Sequence, residues 1–354
     1  MKLQLGTWIC SSLGLSLALP NPTPPPAFRW EDVNFLLAFG DSYTYVQGAA
    51  GRENYSFIGD RIDYSFTPQT LLTNQILSNQ TSAGGPNWVE YLTRCFSGLP
   101  STCARQLWDF AFAGADVSTT YSRAPVDNST PLHHNYTVSF EDQVTQWSLY
   151  AQPILPVDVS RALVAVFIGI NDILDTAAST FPRNDAPDLP SLYRQMIDAE
   201  FASVEGIYAA GYRHFLFLNL PPLDRTVRYY LEPAWPGNQV RAEPRPSATM
   251  IRQYNRLIAS DAAAFAASHP GSSAWVFDTY SYLAGILDKP SAHGLKNTTS
   301  FCPSYNAPDI ATNYAAYGCL PLGEYFWYDS VHITDTVHRH LAQAVEKFLL
   351  SQSR

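Results

Sequence analysis

Ser42 is the residue whose surroundings in the sequence most suggest chemistry, because it follows Gly40 and Asp41 directly after the apolar run 33–39. A serine hydroxyl becomes a nucleophile when a base takes its proton and N–H donors stabilise the developing oxyanion. The Ser42 amide could be one donor. Gly114 offers an amide with no side chain in the way, and Asn171 offers a side-chain N–H. Together they predict the nucleophile and oxyanion hole of an acyl-transfer enzyme.

A serine nucleophile needs a histidine base that is oriented by a carboxylate. Of the eight histidines, His332 is the best candidate because Asp329 stands three residues before it in a short loop. One ring nitrogen of His332 can then bind the carboxylate and leave the other for Ser42. A D-x-x-H spacing is weak by itself, but it gains weight from the loops of Ser42, Gly114 and Asn171. The G-x-S-x-G motif of α/β-hydrolases is absent after residue 18.

Alternating short apolar runs and longer amphipathic runs predict the elements that position these loops. Continuous apolar runs are typical of strands covered on both faces. The predicted strands are Val33–Phe39, Leu107–Phe112, Ala162–Ile168, His214–Leu220 and Ala274–Asp278. The predicted helices are Asn87–Cys95, Phe140–Gln152, Leu192–Ala210, Ala248–Ser268 and Thr334–Leu350, with Ser139 and Thr334 as expected caps. The pattern indicates an α/β fold with a parallel sheet, whose ligands bind beyond the carboxyl ends of the strands.

Four segments resemble the conserved blocks of the SGNH, or GDSL, hydrolase superfamily, and they occur in the family's order over nearly the whole chain. They are Ala38–Ser42, Phe112–Ala115, Gly169–Asp172 and Asp329–His332. The resemblance implies a flavodoxin-like three-layer α/β/α sandwich with about five parallel strands. It also implies that Ser42, Asp329 and His332 are catalytic, with Ser42, Gly114 and Asn171 forming the oxyanion hole. Tyr43 stands where the GDSL motif has leucine.

Three segments, Gly40–Thr44, Gly85–Leu92 and Phe215–Pro222, make the chain resemble most the secreted fungal carbohydrate acetylesterases of family 16 within the superfamily. This resemblance implies a secreted serine esterase that removes acetyl groups from carbohydrates such as hemicellulose oligosaccharides. We expect Asp41, Tyr43 and Trp327 to contact the substrate. Two alternatives remain open: a GDSL lipase or phospholipase that acts on longer acyl esters, and an inactive carbohydrate-binding relative. No cofactor is expected, and no metal-binding spacing is present.

Composition and the N-terminal residues predict an exported protein. A net charge of -9 argues against nucleic acid as a partner. Residues 1–18 resemble a signal peptide, 19–30 are rich in proline, and 31–354 are predicted to form a single catalytic domain. No later run is long enough to anchor the chain in a membrane. We expect a monomer whose partner is a small-molecule or oligosaccharide ester.

The cysteines and sequons agree with export. Removing residues 1–18 leaves four cysteines, an even number that is typical of an oxidising compartment. Four cysteines allow three pairings, of which we favour the local one, Cys95–Cys103 with Cys302–Cys319. Five Asn-x-Ser/Thr sequons predict glycosylation, at Asn54, Asn79, Asn128, Asn135 and Asn297.

Overall fold

A five-stranded parallel sheet forms the centre of the protein. A computed structural model describes residues 28–120, 134–227 and 245–353. The strands are β1 (Phe35–Gly40), β2 (Gln106–Asp109), β3 (Ala162–Phe167), β4 (His214–Leu218) and β5 (Ser273–Phe277). Their order in the sheet is β2-β1-β3-β4-β5, and every neighbouring pair is parallel. This is the flavodoxin-like order, in which β1 and β3 flank the switch point of the topology.

Two groups of helices cover the sheet and complete the three-layer sandwich. The described α-helices are α1 (Pro68–Leu72), α2 (Trp88–Thr93), α3 (Phe140–Gln146), α4 (Ile170–Thr176), α5 (Leu189–Ala209), α6 (Ala248–Ser268), α7 (Thr279–Asp288), α8 (Ile310–Asn313) and α9 (Asp335–Gln352). Helices α2, α7 and α9 pack together, and α3, α5 and α6 form the other group. Within the described ranges, no helix combines the length and apolarity that a membrane crossing requires.

The five predicted strands and five predicted helices are all present, with shifted ends. All six residues of β3 are buried, as expected of a strand covered on both faces. The sequence analysis did not predict α1, α4, α7 or α8, most of which are short. It also extended α3 to Gln152, whereas a π-helical turn, Trp147–Ala151, follows Gln146.

Side-chain caps begin several of these helices. The Ser139 hydroxyl accepts a hydrogen bond from the Asp142 amide at 3.2 Å, which confirms the predicted cap of α3. Asn87 and Glu90 form a reciprocal capping box at α2, an arrangement in which the cap contributes about 1 kcal/mol. The predicted cap at Thr334 is wrong in its chemistry. Thr334 does precede α9, but its hydroxyl donates to the Tyr325 carbonyl and caps no amide.

Both local disulfides are formed. Cys95 pairs with Cys103, and Cys302 pairs with Cys319, each with a Cα–Cα distance of 5.5 Å. The pairing that we favoured from the sequence is therefore confirmed. The second disulfide belongs to a small buried cluster with Ile310 and Tyr325, shortly before the loop that carries Asp329 and His332.

Candidate active site

The loops singled out in the sequence converge beyond the carboxyl ends of β1, β2 and β3. Ser42 follows β1, Gly114 follows β2, and Asn171 lies in the first turn of α4 after β3. Because β1 lies between β2 and β3 in the sheet, the Ser42 turn is flanked by the other two loops. The site thus occupies the switch point at which parallel α/β sheets bind ligands.

The turn that presents Ser42 is held in place by its neighbours on both sides. The Asp41 side chain is buried and accepts the Tyr43 amide at 3.0 Å, while the Asp41 carbonyl accepts the Thr44 and Tyr45 amides. From α3, the Gln143 side chain bonds both the amide and the carbonyl of Gly40, at 3.0 and 2.8 Å. The resulting turn is fixed before any ligand arrives.

Glycine is required at position 40 because β3 passes very close to it. A Cβ on Gly40 would lie 2.2 Å from the Phe167 carbonyl oxygen. This separation is far below van der Waals contact, so any larger residue would push β1 and β3 apart. The register of the two strands therefore sets the height of Ser42 above the sheet.

Ser42, His332 and Asp329 form a continuous chain of hydrogen bonds. The Ser42 Oγ lies 2.7 Å from His332 Nε2, and His332 Nδ1 lies 2.7 Å from Asp329 Oδ2. The second oxygen of Asp329 accepts the Val331 amide at 2.9 Å and the His332 amide at 2.8 Å. The carboxylate thus holds the imidazole with Nδ1 as donor and leaves Nε2 to accept a proton from Ser42.

The ionisation of the pair follows from their contact. Burial favours the neutral form of each group, but their mutual attraction and hydrogen bonds outweigh it. As a result, the pKa of Asp329 is lowered and that of His332 is raised. Burial has the opposite outcome at Asp41, whose pKa rises to about 7 despite the Tyr43 amide. Contact with His332 therefore favours the charged form of Asp329, whereas burial favours the neutral form of Asp41.

Three N–H groups on the loops that follow β1, β2 and β3 are candidate donors to an oxygen bound beside Ser42. Within the described ranges, the amides of Ser42 and Gly114 donate to no protein acceptor. Gly114 has φ 81°, a conformation that favours glycine. Asn171 uses one side-chain N–H to bind the Ala115 carbonyl at 2.8 Å, which leaves the second available. An oxygen that becomes negative beside Ser42 could accept hydrogen bonds from all three.

The three side chains expected to contact substrate are buried, so these expectations are not supported. Asp41 is buried within the Ser42 turn, where it accepts the Tyr43 amide. The Tyr43 hydroxyl donates to the Val331 carbonyl at 2.7 Å. The Trp327 ring packs edge-on against Phe326, and its N–H donates to the Thr298 carbonyl. The Tyr43 and Trp327 side chains are used to pack the loops together, and the second carboxylate oxygen of Asp41 is buried with them.

Tyr328 and Tyr305 are aromatic residues near the site, of which the sequence indicated only Tyr328, through its place next to Asp329. Both are partly exposed, and their rings meet edge-to-face at 4.9 Å beside Asp329. Tyr328 also packs so closely on Gly84 that a Cβ there would lie 2.4 Å from the ring. The only sequence signal was that Tyr328 precedes Asp329, and that signal cannot tell which of two adjacent aromatic rings points outward.

Comparisons with known proteins identify the family that the chain matches. A family model described as GDSL-like Lipase/Acylhydrolase matches residues 36–345. An acetylesterase of Thermothelomyces thermophilus is 29% identical over 316 residues, which cover 88% of this chain and 86% of the relative. An acetylesterase of Hypocrea jecorina is 24% identical over 336 residues, which cover 88% of each chain. An Arabidopsis thaliana protein named inactive GDSL esterase/lipase-like protein 25 is 22% identical over 300 residues, covering 84% and 67%.

Proposed function

Because the chain belongs to the GDSL-like lipase/acylhydrolase family and is a carboxylic ester hydrolase, we propose that Ser42 is its nucleophile. His332 is then the general base, and Asp329 orients it. The observation that carries this assignment is the unbroken path from Asp329 Oδ2 through His332 to Ser42 Oγ. One relative is named inactive, so family membership alone does not supply activity, and the connected side chains are the stronger argument.

The proposed reaction proceeds through an acyl-enzyme. His332 Nε2 takes the Ser42 proton as Oγ attacks the ester carbonyl, and the carbonyl oxygen becomes an oxyanion held by Ser42, Gly114 and Asn171. The imidazolium then protonates the departing alcohol, and the C–O ester bond breaks. Water, deprotonated by His332, then attacks the acyl carbon. The bond between Ser42 Oγ and the acyl carbon breaks, the imidazolium returns its proton to Oγ, and the acid is released. Asp329 stabilises the imidazolium in both halves and keeps its own charge.

We further propose that the substrate is an acetyl ester on a carbohydrate. Two relatives named acetylesterases support the acetyl group. The partly exposed rings of Tyr305 and Tyr328 support the sugar, because an aromatic ring with a polar end suits a ligand that has both apolar faces and hydroxyls. The alternative of a lipase or phospholipase requires an apolar trough for a long acyl chain.

A chain-length series tests both parts of the proposal. We expect the wild-type enzyme to hydrolyse p-nitrophenyl acetate faster than the butyrate, with little activity on the palmitate. Acetate release from acetylated xylo-oligosaccharides should also be measured. Ser42→Ala should reduce every rate by several orders of magnitude, because the covalent step is lost. A palmitate preference would favour the lipase, and equal rates for the two proteins would exclude Ser42 as nucleophile.

We also infer that the protein is exported and glycosylated. The apolar residues 3–17 behind Lys2, the five sequons and the two disulfides support this inference. Residues 1–18 and Asn128 lie outside the described residues, so their part of the inference rests on the sequence alone. The other four sequon asparagines are within the described ranges and differ in their surroundings.

A further inference from the structure

Tyr43 links the two halves of the proposed catalytic machinery. It follows Ser42 directly, and its hydroxyl donates to the Val331 carbonyl at 2.7 Å. Val331 directly precedes His332, so one hydrogen bond joins the neighbour of the nucleophile to the neighbour of the base. The two residues are 288 positions apart in the chain. In the GDSL motif that this segment resembles, the same position is leucine, which has no hydroxyl to donate.

The Tyr43 ring is locked into one orientation. It is buried, and its ring centroid lies 5.7 Å from that of Phe167, 5.8 Å from that of His332 and 5.7 Å from that of His338. Phe167 belongs to β3 and His338 to α9, so the ring is held from the sheet and from a covering helix. A buried phenol in such a cage keeps its hydroxyl directed at one acceptor.

Hydrogen bonds within the loop that carries His332 make that loop rigid. They do not fix its position relative to β1 and the Ser42 turn. Asp329 accepts three hydrogen bonds, all from Val331 and His332, so these residues move together as one unit. Those bonds fix the imidazole against the carboxylate and leave its distance to Ser42 undetermined. The Tyr43 hydroxyl connects the Ser42 turn to this loop through its hydrogen bond to the Val331 carbonyl.

We propose that the Tyr43 hydroxyl is a positioning group that sets the distance between Ser42 Oγ and His332 Nε2. The inference rests on the proposed roles of Ser42 and His332. Tyr43 does not touch the reacting atoms and acts only through the placement of His332. A displacement of the base by about 1 Å can lower a catalysed rate by about 100-fold. The hydroxyl therefore matters more for kcat than for substrate binding.

The test compares Tyr43→Phe with a matched control elsewhere in the fold. Tyr282 also donates its hydroxyl to a backbone carbonyl, that of His340 at 2.9 Å, in the second turn of α9. Tyr43→Phe should lower kcat on p-nitrophenyl acetate at least about tenfold with KM unchanged. Tyr282→Phe loses the same kind of bond and should keep the wild-type kcat. Melting temperatures of both variants report the cost in stability.

Two further measurements separate positioning from other effects. The acidic limb of the kcat/KM profile should stay in place in Tyr43→Phe, because Asp329 still binds His332. Phosphorylation of Ser42 by an organophosphorus fluoride should slow in parallel with kcat, since it uses the same base. Tyr43→Leu, which also removes the ring contacts with His332, should lose at least as much activity as Tyr43→Phe.

The proposal is overturned if either Tyr43 variant keeps the wild-type kcat, or if Tyr282→Phe loses as much as Tyr43→Phe. A shift of the acidic limb in Tyr43→Phe would also overturn it, because the hydroxyl would then act on the ionisation of His332. Failure of the proposed function is distinguishable, because Ser42→Ala would then retain activity whatever the Tyr43 variants do.

Discussion

Asp329 shows how much a single carboxylate can specify. One oxygen accepts two backbone amides of its own loop, and the other accepts the imidazole N–H. The attraction of His332 and its hydrogen bond, together with the two backbone bonds, lower the pKa of the carboxyl group. The backbone bonds also keep the carboxylate from rotating, so it fixes the tautomer of His332. The same contact raises the pKa of His332, although burial opposes the charged form. The contact with Asp329 thus determines both the orientation and the basicity of His332, the proposed base.

Asp329→Asn tests this at the scale of one residue. The Asn oxygen can still accept the two amides, but its NH₂ group would face His332 Nδ1 and favour the wrong tautomer. We expect kcat to fall about 10⁴-fold. Neutral His332 is the active form, so kcat/KM rises with pH through its raised pKa in the wild type. Without the carboxylate, burial dominates, and this limb should move to lower pH.

The pH profiles of Asp329→Asn and of a control variant, Asp335→Asn, check the prediction. Asp335 begins α9 and lies against Gly85, outside the hydrogen-bonded chain of Ser42, His332 and Asp329. Its variant should keep the wild-type limb and a kcat close to the wild-type value. An unmoved limb in Asp329→Asn would mean that His332 does not owe its basicity to Asp329.

At the scale of elements, the first turn of α4 organises the loops of the proposed oxyanion hole. Gly169 precedes the helix with φ 104°, and a Cβ there would lie 2.7 Å from the Tyr254 hydroxyl. The next two polar residues both bind the loop after β2. Asn171 donates to the Ala115 carbonyl, and both Asp172 oxygens accept the Val117 amide at 3.1 Å. This short helix therefore fixes the loop that contains Gly114.

Two substitutions of Asn171 distinguish the effect of its side-chain N–H from the effect of its size and shape. Asn171→Ala removes the N–H and should lower kcat about 10²- to 10³-fold, the usual loss for one oxyanion-hole donor. Asn171→Asp keeps the size but places a negative charge beside the oxyanion, so its kcat should fall further. Kinetics and melting temperatures of both variants should be compared. Wild-type kcat in Asn171→Ala would exclude this side chain from the oxyanion hole.

At the scale of the whole molecule, the described sequons are not equivalent. The side chains of Asn54, Asn79 and Asn135 are exposed. Asn297 is only partly exposed, and its side chain is bonded to its own turn. Its amide nitrogen donates to the Ser300 hydroxyl at 2.9 Å, and its oxygen accepts the Thr299 and Ser300 amides at 3.0 Å. A glycan has less room at this turn than at the three open positions.

We therefore expect glycans at Asn54, Asn79 and Asn135 and the lowest occupancy at Asn297. The measurement is peptide mass spectrometry of the secreted protein after enzymatic deglycosylation in heavy-oxygen water, which labels each formerly glycosylated asparagine. The same sample gives the N-terminus, which should follow Ala18. Full occupancy at Asn297 would show that local exposure does not control glycosylation here, and a chain beginning at Met1 would contradict export.

Local patterns determined most of the architecture. Apolar runs such as 162–168 predict strands because burial on both faces leaves no place for polar residues. The ends of elements were harder, as at α3, where the apolar pattern continues through a turn that is no longer α-helical. Short helices such as α4 were missed because one or two turns carry too little periodicity to be recognised.

The sequence by itself determined which loops matter, because Gly40–Ser42, Gly114, Asn171 and Asp329–His332 each follow or flank a recognisable element. Only the tertiary structure decided how their neighbours are used. Trp327 is turned into the interior, the Thr334 hydroxyl binds Tyr325, and Tyr43 reaches Val331. Such contacts join residues that no local pattern relates, since the direction of a side chain depends on which distant segment packs against it.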